Sequence, residues 1–205
     1  MIIKTVEFAG AIANINGKAP GSFPQVAFAG RSNVGKSSLI NRLLGRTRSA
    51  VARVSSSPGK TREINFYDVI ATSSEKKPVH FYLVDLPGYG YAKVPGNVKE
   101  QWRALMEWYL GNTEPLRGVV QLIDVRHEPV ESDHKMLQYL GETGVPALFV
   151  LTKVDKLTRS ERAAQVRKVL RLLAIEPDQA IEFSSVSGEG REELLEAVES
   201  LVLGS

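Results

Sequence analysis

Four short runs in this sequence have the residue types and spacing needed to handle a nucleotide, and they follow one another in a telling order. The first is Gly30-Arg31-Ser32-Asn33-Val34-Gly35-Lys36-Ser37, which fits G-x-x-x-x-G-K-[ST] and runs on through Ser38 into an apolar helical period. Gly30 and Gly35 let the backbone curl so that successive N–H groups face inward, toward phosphate oxygens. A helix starting near Lys36 adds its positive end. Lys36 brings a point charge for the β- and γ-phosphates, and the Ser37 hydroxyl can ligate magnesium. The plain alternative is a strand–turn–helix connection that merely uses glycine. The position of the motif between a strand-like and a helix-like run argues against it. Alone, the loop specifies a nucleoside triphosphate and not which one.

The second run, Asp85-Leu86-Pro87-Gly88, closes an apolar stretch. A carboxylate at the C-terminal edge of a strand lies where ligands gather in such sheets. Asp85 is therefore a candidate to hold magnesium through water, and Gly88 a candidate to offer its N–H to a γ-phosphate. Without the phosphate loop the same residues would read as a capped Pro-Gly turn. The third run, Thr152-Lys153-Val154-Asp155, addresses the base. The Asp155 carboxylate can accept hydrogen bonds from guanine N1–H and the exocyclic amine. Adenine presents neither donor and would leave that carboxylate desolvated and unpaired. The Lys153 stem can lie flat along the base. The fourth run, Phe183-Ser184-Ser185, ends the last apolar stretch, where a backbone N–H could meet the guanine oxygen. Lysine and aspartate after a strand are common, so the weight lies in the order of all four.

These residues need a scaffold that brings them together. Short apolar runs at QVAFAG, HFYLVD, GVVQLIDV, PALFVLTK and AIEFSS read as strands covered on both faces, and EINFYDVI as a further strand at an edge. Between them, helical periods are marked by Leu39-Ile40-Leu43-Leu44, Leu105-Met106-Tyr109, Met136-Leu137-Leu140, Val166-Val169-Leu170-Leu173 and Leu194-Leu195-Val198-Leu201. Alternation of this kind predicts an α/β fold: a six-stranded, mostly parallel sheet with helices on both faces. One domain spanning residues 1–205 is expected, with 1–22 as an N-terminal extension and the core at 23–204. The polar stretches Arg46 to Arg62 and Pro87 to Asn97 break the pattern and are expected to be functional loops.

The chain of 205 residues is 43% hydrophobic, enough for a full-sized core, and contains no cysteine, which excludes disulfides and thiolate metal sites. The leading residues lack an export signal, and no run approaches the ~18 apolar residues of a membrane helix. A cytoplasmic protein without a membrane partner is expected, and nothing points beyond a monomer. The net charge of +3, with a pI near 9.1, suits contact with RNA or the ribosome and equally suits a solvated basic surface. Lys156, Arg159, Arg162, Arg167, Lys168 and Arg171 are the densest basic stretch.

The order of elements resembles the Ras-like P-loop GTPases, and the chain is identified as a member of the EngB (YihA/YsxC) family within the Era-like branch. The residues that carry this are GRSNVGKSSLIN, PGKT from Pro58, INFY, DLPGYGYAKV, DVRHEP with Asp133 downstream, LTKVDKL and FSS, over roughly residues 25 to 190. The resemblance implies a Ras-like G domain that binds GTP and GDP with magnesium. It implies a further magnesium ligand in Thr61, within Gly59-Lys60-Thr61, on a loop ordered by the γ-phosphate. It also implies a role in assembly of the large ribosomal subunit and in bacterial cell division and septation. Arg62 departs from the pattern, which has glutamine there. In potassium-activated relatives, an asparagine at the position of Asn33 helps hold a monovalent cation near the phosphates. The same is expected here, against the simpler role of stabilising the turn.

Phosphoryl transfer needs positioning and charge neutralisation more than covalent chemistry. Lys36, Asn33, Thr61 and Gly88 are the candidate catalytic groups. Where many Ras-like proteins place a water-orienting glutamine, this chain has Tyr89. A phenol substitutes poorly, so slow intrinsic turnover completed by a partner is expected. Two other readings remain open from the sequence: an ATP-using phosphotransferase, which Asp155 opposes, and a nucleotide-responsive RNA-binding module with negligible hydrolysis, which Tyr89 keeps in play. Arg126 and His127 follow a strand beside the site and are expected to be structural or docking residues, with a catalytic histidine as the alternative.

Overall fold

A strand that is apolar throughout must be covered on both faces, and β2 (Gln25–Gly30) is buried at every position. In the computed structural model, which describes residues 1–47, 49–52, 63–90 and 96–204, β2 lies at the centre of a seven-stranded sheet. The other strands are β1 (Ile2–Ile12), β3 (Ile64–Thr72), β4 (Pro78–Asp85), β5 (Leu116–Asp124), β6 (Ala147–Thr152) and β7 (Ala180–Phe183), in the order β1-β3-β4-β2-β5-β6-β7. The pairings of β2 with β4 and β5, of β5 with β6 and of β6 with β7 are parallel, while β3 is antiparallel to both β1 and β4.

The helices are α1 (Lys36–Leu43), α2 (Gly96–Asn112), α3 (Glu131–Thr143), α4 (Arg159–Leu173) and α5 (Arg191–Leu203). Alternation along β2 shows why both sheet faces need helices. Val26 and Phe28 pack with Leu39, Ile40 and Leu43 of α1 and Leu194 and Val198 of α5. Ala27 and Ala29, one residue out of phase, pack with Leu105, Met106 and Tyr109 of α2 and Leu140 of α3. Helix α4 extends that second face through Val169, Leu170 and Leu173 against Phe149 and Leu151. Burial on both faces, complete in β2 and extensive in β4 and β5, is the physical reason the central parallel strands read as largely apolar runs.

The strand count corrects the expectation of six, and β3 is not an edge. Residues Ile2–Ile12, expected to lie outside the core, form the extra edge strand on β3. Two register shifts, between Ile3 and Thr5 and between Phe8 and Gly10, destroy the alternation that would have revealed it. Val6 opposes Val69 on the α1/α5 side, yet Ile12, six positions later, opposes Ile64 on the α2/α3 side. An intervening bulge turns the strand over, so no period of two survives. Among the described residues no helix is long and apolar enough to cross a membrane.

Candidate functional site

Five parallel strands end on one edge of the sheet, and the loops that leave β2, β4, β5, β6 and β7 carry the polar residues singled out above. Gly30 closes β2 where a Cβ would lie 2.9 Å from Val34 Cγ1 and 3.2 Å from the Leu122 carbonyl, so no larger residue fits. The chain then turns through Asn33 at φ 64° and Gly35 at φ 101°, both left-handed. Asparagine tolerates that region better than most residues, which gives Asn33 a backbone reason for its type. Gly35 is the N-cap of α1, with no capping side chain and no acidic residue in the first turn. The uncapped N–H groups of the Lys36, Ser37 and Ser38 turn form an anion-attracting end.

The Lys36 ammonium is ion-paired with Asp85 at the end of β4, and both side chains are nearly buried. Leu86 is fully buried behind them, and the backbone then passes through Pro87 to Gly88. A Cβ on Gly88 would meet Ser32 Oγ at 3.2 Å and its nitrogen at 3.3 Å. Two backbone bonds fasten the segment to the phosphate loop: Ser32 N–H donates to the Tyr89 carbonyl at 3.0 Å, and Tyr89 N–H to the Gly30 carbonyl at 3.2 Å. The Ser32 N–H is thus engaged by the Tyr89 carbonyl.

The Tyr89 side chain turns away from that loop. Its hydroxyl donates to Asp133 Oδ1 at 3.0 Å and receives Gln121 Nε2 at 2.6 Å. Burial, and then the Asp133 charge, push the phenol pKa well above its ordinary value, so it stays a neutral donor. Asp133 Oδ2 in turn accepts the Val130 N–H at 3.0 Å, at the start of α3.

On the other side of the loop, Thr152 Oγ1 donates to the Val34 carbonyl at 2.7 Å. Lys153, at φ 66°, extends over the loop: its Nζ donates to the Asn33 carbonyl at 2.6 Å and to Asp124 Oδ2 at 2.8 Å. Asp124 is also gripped by Arg126 through Nε at 2.9 Å and Nη2 at 2.8 Å. Burial pushes the Asp124 pKa up, but the bonds from Arg126 and Lys153 outweigh it and hold the carboxyl down to about 2. Arg126 is thus paired with Asp124, while exposed His127 contributes its backbone N–H to the Asp124 carbonyl at 3.3 Å. The loop, Asp124, Arg126, Asp133 and Lys153 enclose a cavity of about 200 Å³.

Val154 is buried beneath a single 3-10 turn, which presents Asp155. Asp155 Oδ1 accepts the Ser184 hydroxyl at 2.7 Å, and Lys156 Nζ lies 3.3 Å from Oδ2. Burial raises the Asp155 pKa, but Ser184 and Lys156 prevail and keep it below the usual carboxylate range. The Ser184 oxygen also accepts N–H groups from Val186 at 3.2 Å and Ser187 at 3.1 Å, and Phe183 anchors the loop in the core. The structure thus brings Gly30 to Ser38, Asp85 to Gly88, Thr152 to Asp155 and Phe183 to Ser185 onto one edge. Gly59, Lys60, Thr61 and Arg62 lie outside the described residues. Among the described residues no cluster of three or more His, Cys, Asp or Glu forms an all-protein metal cage.

Sequence reading assigned no role to Asp124, Gln121 or Arg42. Asp124 and Gln121 sit within an apolar strand run, and a buried polar residue there is the signal that would have flagged them. The basic stretch on α4 proves partly neutralised: Arg162 pairs with Glu189 at 2.6 Å as well as with Glu182, and Lys168 with Glu128 at 2.5 Å.

A family model described as a 50S ribosome-binding GTPase matches residues 25–153. A probable GTP-binding protein EngB of Gemmatimonas aurantiaca is 45% identical over 203 residues, covering 98% of this chain and 95% of that protein. Its counterpart in Pelotomaculum thermopropionicum is 47% identical over 201 residues, covering 97% and 96%. Among solved structures, a probable GTP-binding protein EngB superposes with a TM-score of 0.65 at 23% identity, covering 88% of this chain and all (100%) of that one. Aquifex aeolicus Era bound to GDP and AlF4− gives 0.67 at 21% identity, covering 87% of this chain and 56% of Era, a likeness of fold.

Proposed function

This chain belongs to the EngB family of GTP-binding proteins, and on that premise we propose that it is a slow GTP-driven switch assisting assembly of the large ribosomal subunit. GTP and GDP binding and GTPase activity come with the family. In this reading residues 1–205 form one G domain, with Ile2–Ile12 built into its sheet, acting as a cytoplasmic monomer needed for normal cell division. One observation carries the reading: Lys36, Asp85 and Gly88 converge beside one side of the phosphate loop, while Lys153 bonds the loop from the other side and Asp155, two residues on, meets Ser184. In this reading triphosphate and base take separate places on a single sheet edge.

Magnesium fits the donor set. The Asp85 carboxylate and the Ser37 hydroxyl are hard oxygen donors next to an uncapped helix start, and Thr61 is the third ligand proposed from the family pattern. Once bound there, the ion would neutralise charge on the β- and γ-phosphate oxygens. Lys36 supplies a second positive charge, Gly88 reports the γ-phosphate through its N–H, and Thr152 and Lys153 hold the loop in shape. The Tyr89 phenol is committed to Asp133 and Gln121, so it does not orient water. A group outside the described residues, or a bound partner, must complete the hydrolytic site. Asn33 is the proposed ligand for a potassium ion filling part of that role.

The ribosomal partner is supported by the 50S ribosome-binding description of the matching family model and by the mildly basic charge. Arg159, Arg167 and Arg171 remain exposed on α4 as phosphate contacts. Single-turnover GTP hydrolysis, with and without ribosomal particles and in potassium against sodium, tests the proposal. Slow hydrolysis accelerated by large-subunit particles is expected, with potassium faster than sodium. Binding to particles that depends on GTP without any hydrolysis would favour a nucleotide-responsive binding module instead. Equal rates in potassium and sodium, with and without particles, would remove the role of Asn33 as cation ligand.

A further inference from the structure

The loop from Ser184 to Gly188 has its own internal hydrogen-bond economy, and one donor is left over. Ser184 N–H goes to the Glu189 carbonyl at 3.1 Å, Val186 and Ser187 N–H to Ser184 Oγ, and Gly188 N–H to the Ser184 carbonyl at 2.9 Å. Among the described residues only the Ser185 N–H of this loop has no partner. Its neighbour Asp155 is tied to the same loop through the Ser184 hydroxyl, so the free donor lies beside the carboxylate that reads the purine. A single unpaired backbone N–H next to that carboxylate matches the one acceptor on the same edge of guanine, the carbonyl oxygen O6.

What aims this N–H comes from another element. Arg42, on the last turn of α1, donates Nε to the Ser185 carbonyl at 2.8 Å and Nη2 to the Val186 carbonyl. The Ser184 carbonyl is already fixed by Gly188, so Ser185 is held on both sides and its N–H has one direction left. Gly188, at φ 89°, leaves room for the guanidinium, since even a Cβ there would lie 3.9 Å from Arg42 Cδ. Arg42 is itself braced: Arg191 at the start of α5 donates to the Arg42 carbonyl at 2.9 Å and to the Leu43 carbonyl at 2.8 Å. The planar fork meets two adjacent carbonyls with one nitrogen each, at little further loss of side-chain freedom.

We propose that Arg42, though it belongs to the phosphate-loop helix, is a specificity-determining positioning residue for the base, which orients the Ser185 N–H toward guanine O6. This rests on the reading of Asp155 and Ser185 as base contacts. It couples the two halves of the nucleotide site through one rigid helix, whose N-terminus meets the phosphates and whose C-terminus sets the base reader.

Three nucleotides separate the effects: GDP, inosine diphosphate, which keeps O6 and N1–H but lacks the 2-amino group, and 2-aminopurine riboside diphosphate, which keeps the 2-amino group but lacks O6 and N1–H. Arg42→Ala should weaken GDP and inosine diphosphate together, by about tenfold for one lost well-aimed hydrogen bond. Binding of the 2-aminopurine nucleotide should stay unchanged. Arg42→Lys, which keeps the charge and the helix, should behave like Arg42→Ala, because it offers one nitrogen where the guanidinium engages each carbonyl with a nitrogen of its own, Nε on Ser185 and Nη2 on Val186. Asp155→Asn should instead shrink the preference for GDP over inosine diphosphate. Equal loss for all three nucleotides in both Arg42 variants would reduce Arg42 to a support of the fold and overturn the proposal. Unchanged GDP affinity in Arg42→Lys would overturn it as well. If Asp155→Asn leaves the preference for GDP over inosine diphosphate intact, the underlying base reading fails, whatever the Arg42 variants do.

Discussion

The Tyr89 hydroxyl donates to Asp133 at 3.0 Å, which ties the residue following Gly88 to the first turn of α3. Many Ras-like proteins use the position of Tyr89 for a glutamine that orients water. Here the side chain points into the wedge between β5 and α3, with Gln121 as its second partner. Its backbone meanwhile bridges to the phosphate loop through Gly30 and Ser32. One residue thus joins three elements.

Tyr89→Phe removes only the hydroxyl and leaves buried Asp133 and Gln121 short of a partner. A loss of about 1–3 kcal/mol in stability is expected, read from urea unfolding midpoints. Intrinsic GTP hydrolysis should change far less than stability does. A hundredfold fall in the single-turnover rate would mean that the phenol takes part in the chemistry.

Gly88→Ala places a methyl group 3.2–3.3 Å from Ser32, where the two loops touch. GDP affinity should be nearly unchanged, because GDP has no γ-phosphate to sense. Affinity for a non-hydrolysable GTP analogue should fall by about tenfold, the loss of one hydrogen bond. Parallel titrations with labelled nucleotides check it, and an equal loss for both ligands would remove the sensor role.

Asp155→Asn replaces a double acceptor with a group that both donates and accepts. Guanine then loses a bond at its amine, whereas xanthine, with a carbonyl in that place, gains one. Preference should move from GDP toward xanthosine diphosphate, by a factor of about 100 or more on the scale of lost polar contacts. Competition binding decides, and a retained guanine preference counts against Asp155 as the base reader.

Asp124 predicts a pH dependence. Its carboxyl has an ordinary value of 3.8 and is held to about 2 in the folded protein by Arg126 and Lys153, against the opposing effect of burial. A depressed acid contributes stability that is complete above the unfolded value and fades as pH falls toward the folded one. The advantage of the native protein over Asp124→Asn should therefore be constant above about pH 4 and shrink between about pH 4 and pH 2. Unfolding midpoints of both proteins across that window are the measurement. A gap that widens on acidification would contradict the sign.

The nucleotide motifs and the strand–helix alternation were legible because each depends on local geometry. Gly30 must be glycine for want of space beside Val34 and Leu122, and parallel strands buried on both faces must be apolar along their length. The edge strand Ile2–Ile12 was not legible, since its bulges break the period that would announce it. Equally hidden were the contacts between elements distant in the chain: Arg42 on the Ser185 carbonyl, Lys153 on the Asn33 carbonyl and Asp124, and Tyr89 on Asp133. A sequence shows residue types and their spacing, which fixed the kind of ligand. Which donor faces which acceptor depends on how strands and helices pack, and only the tertiary structure decided that.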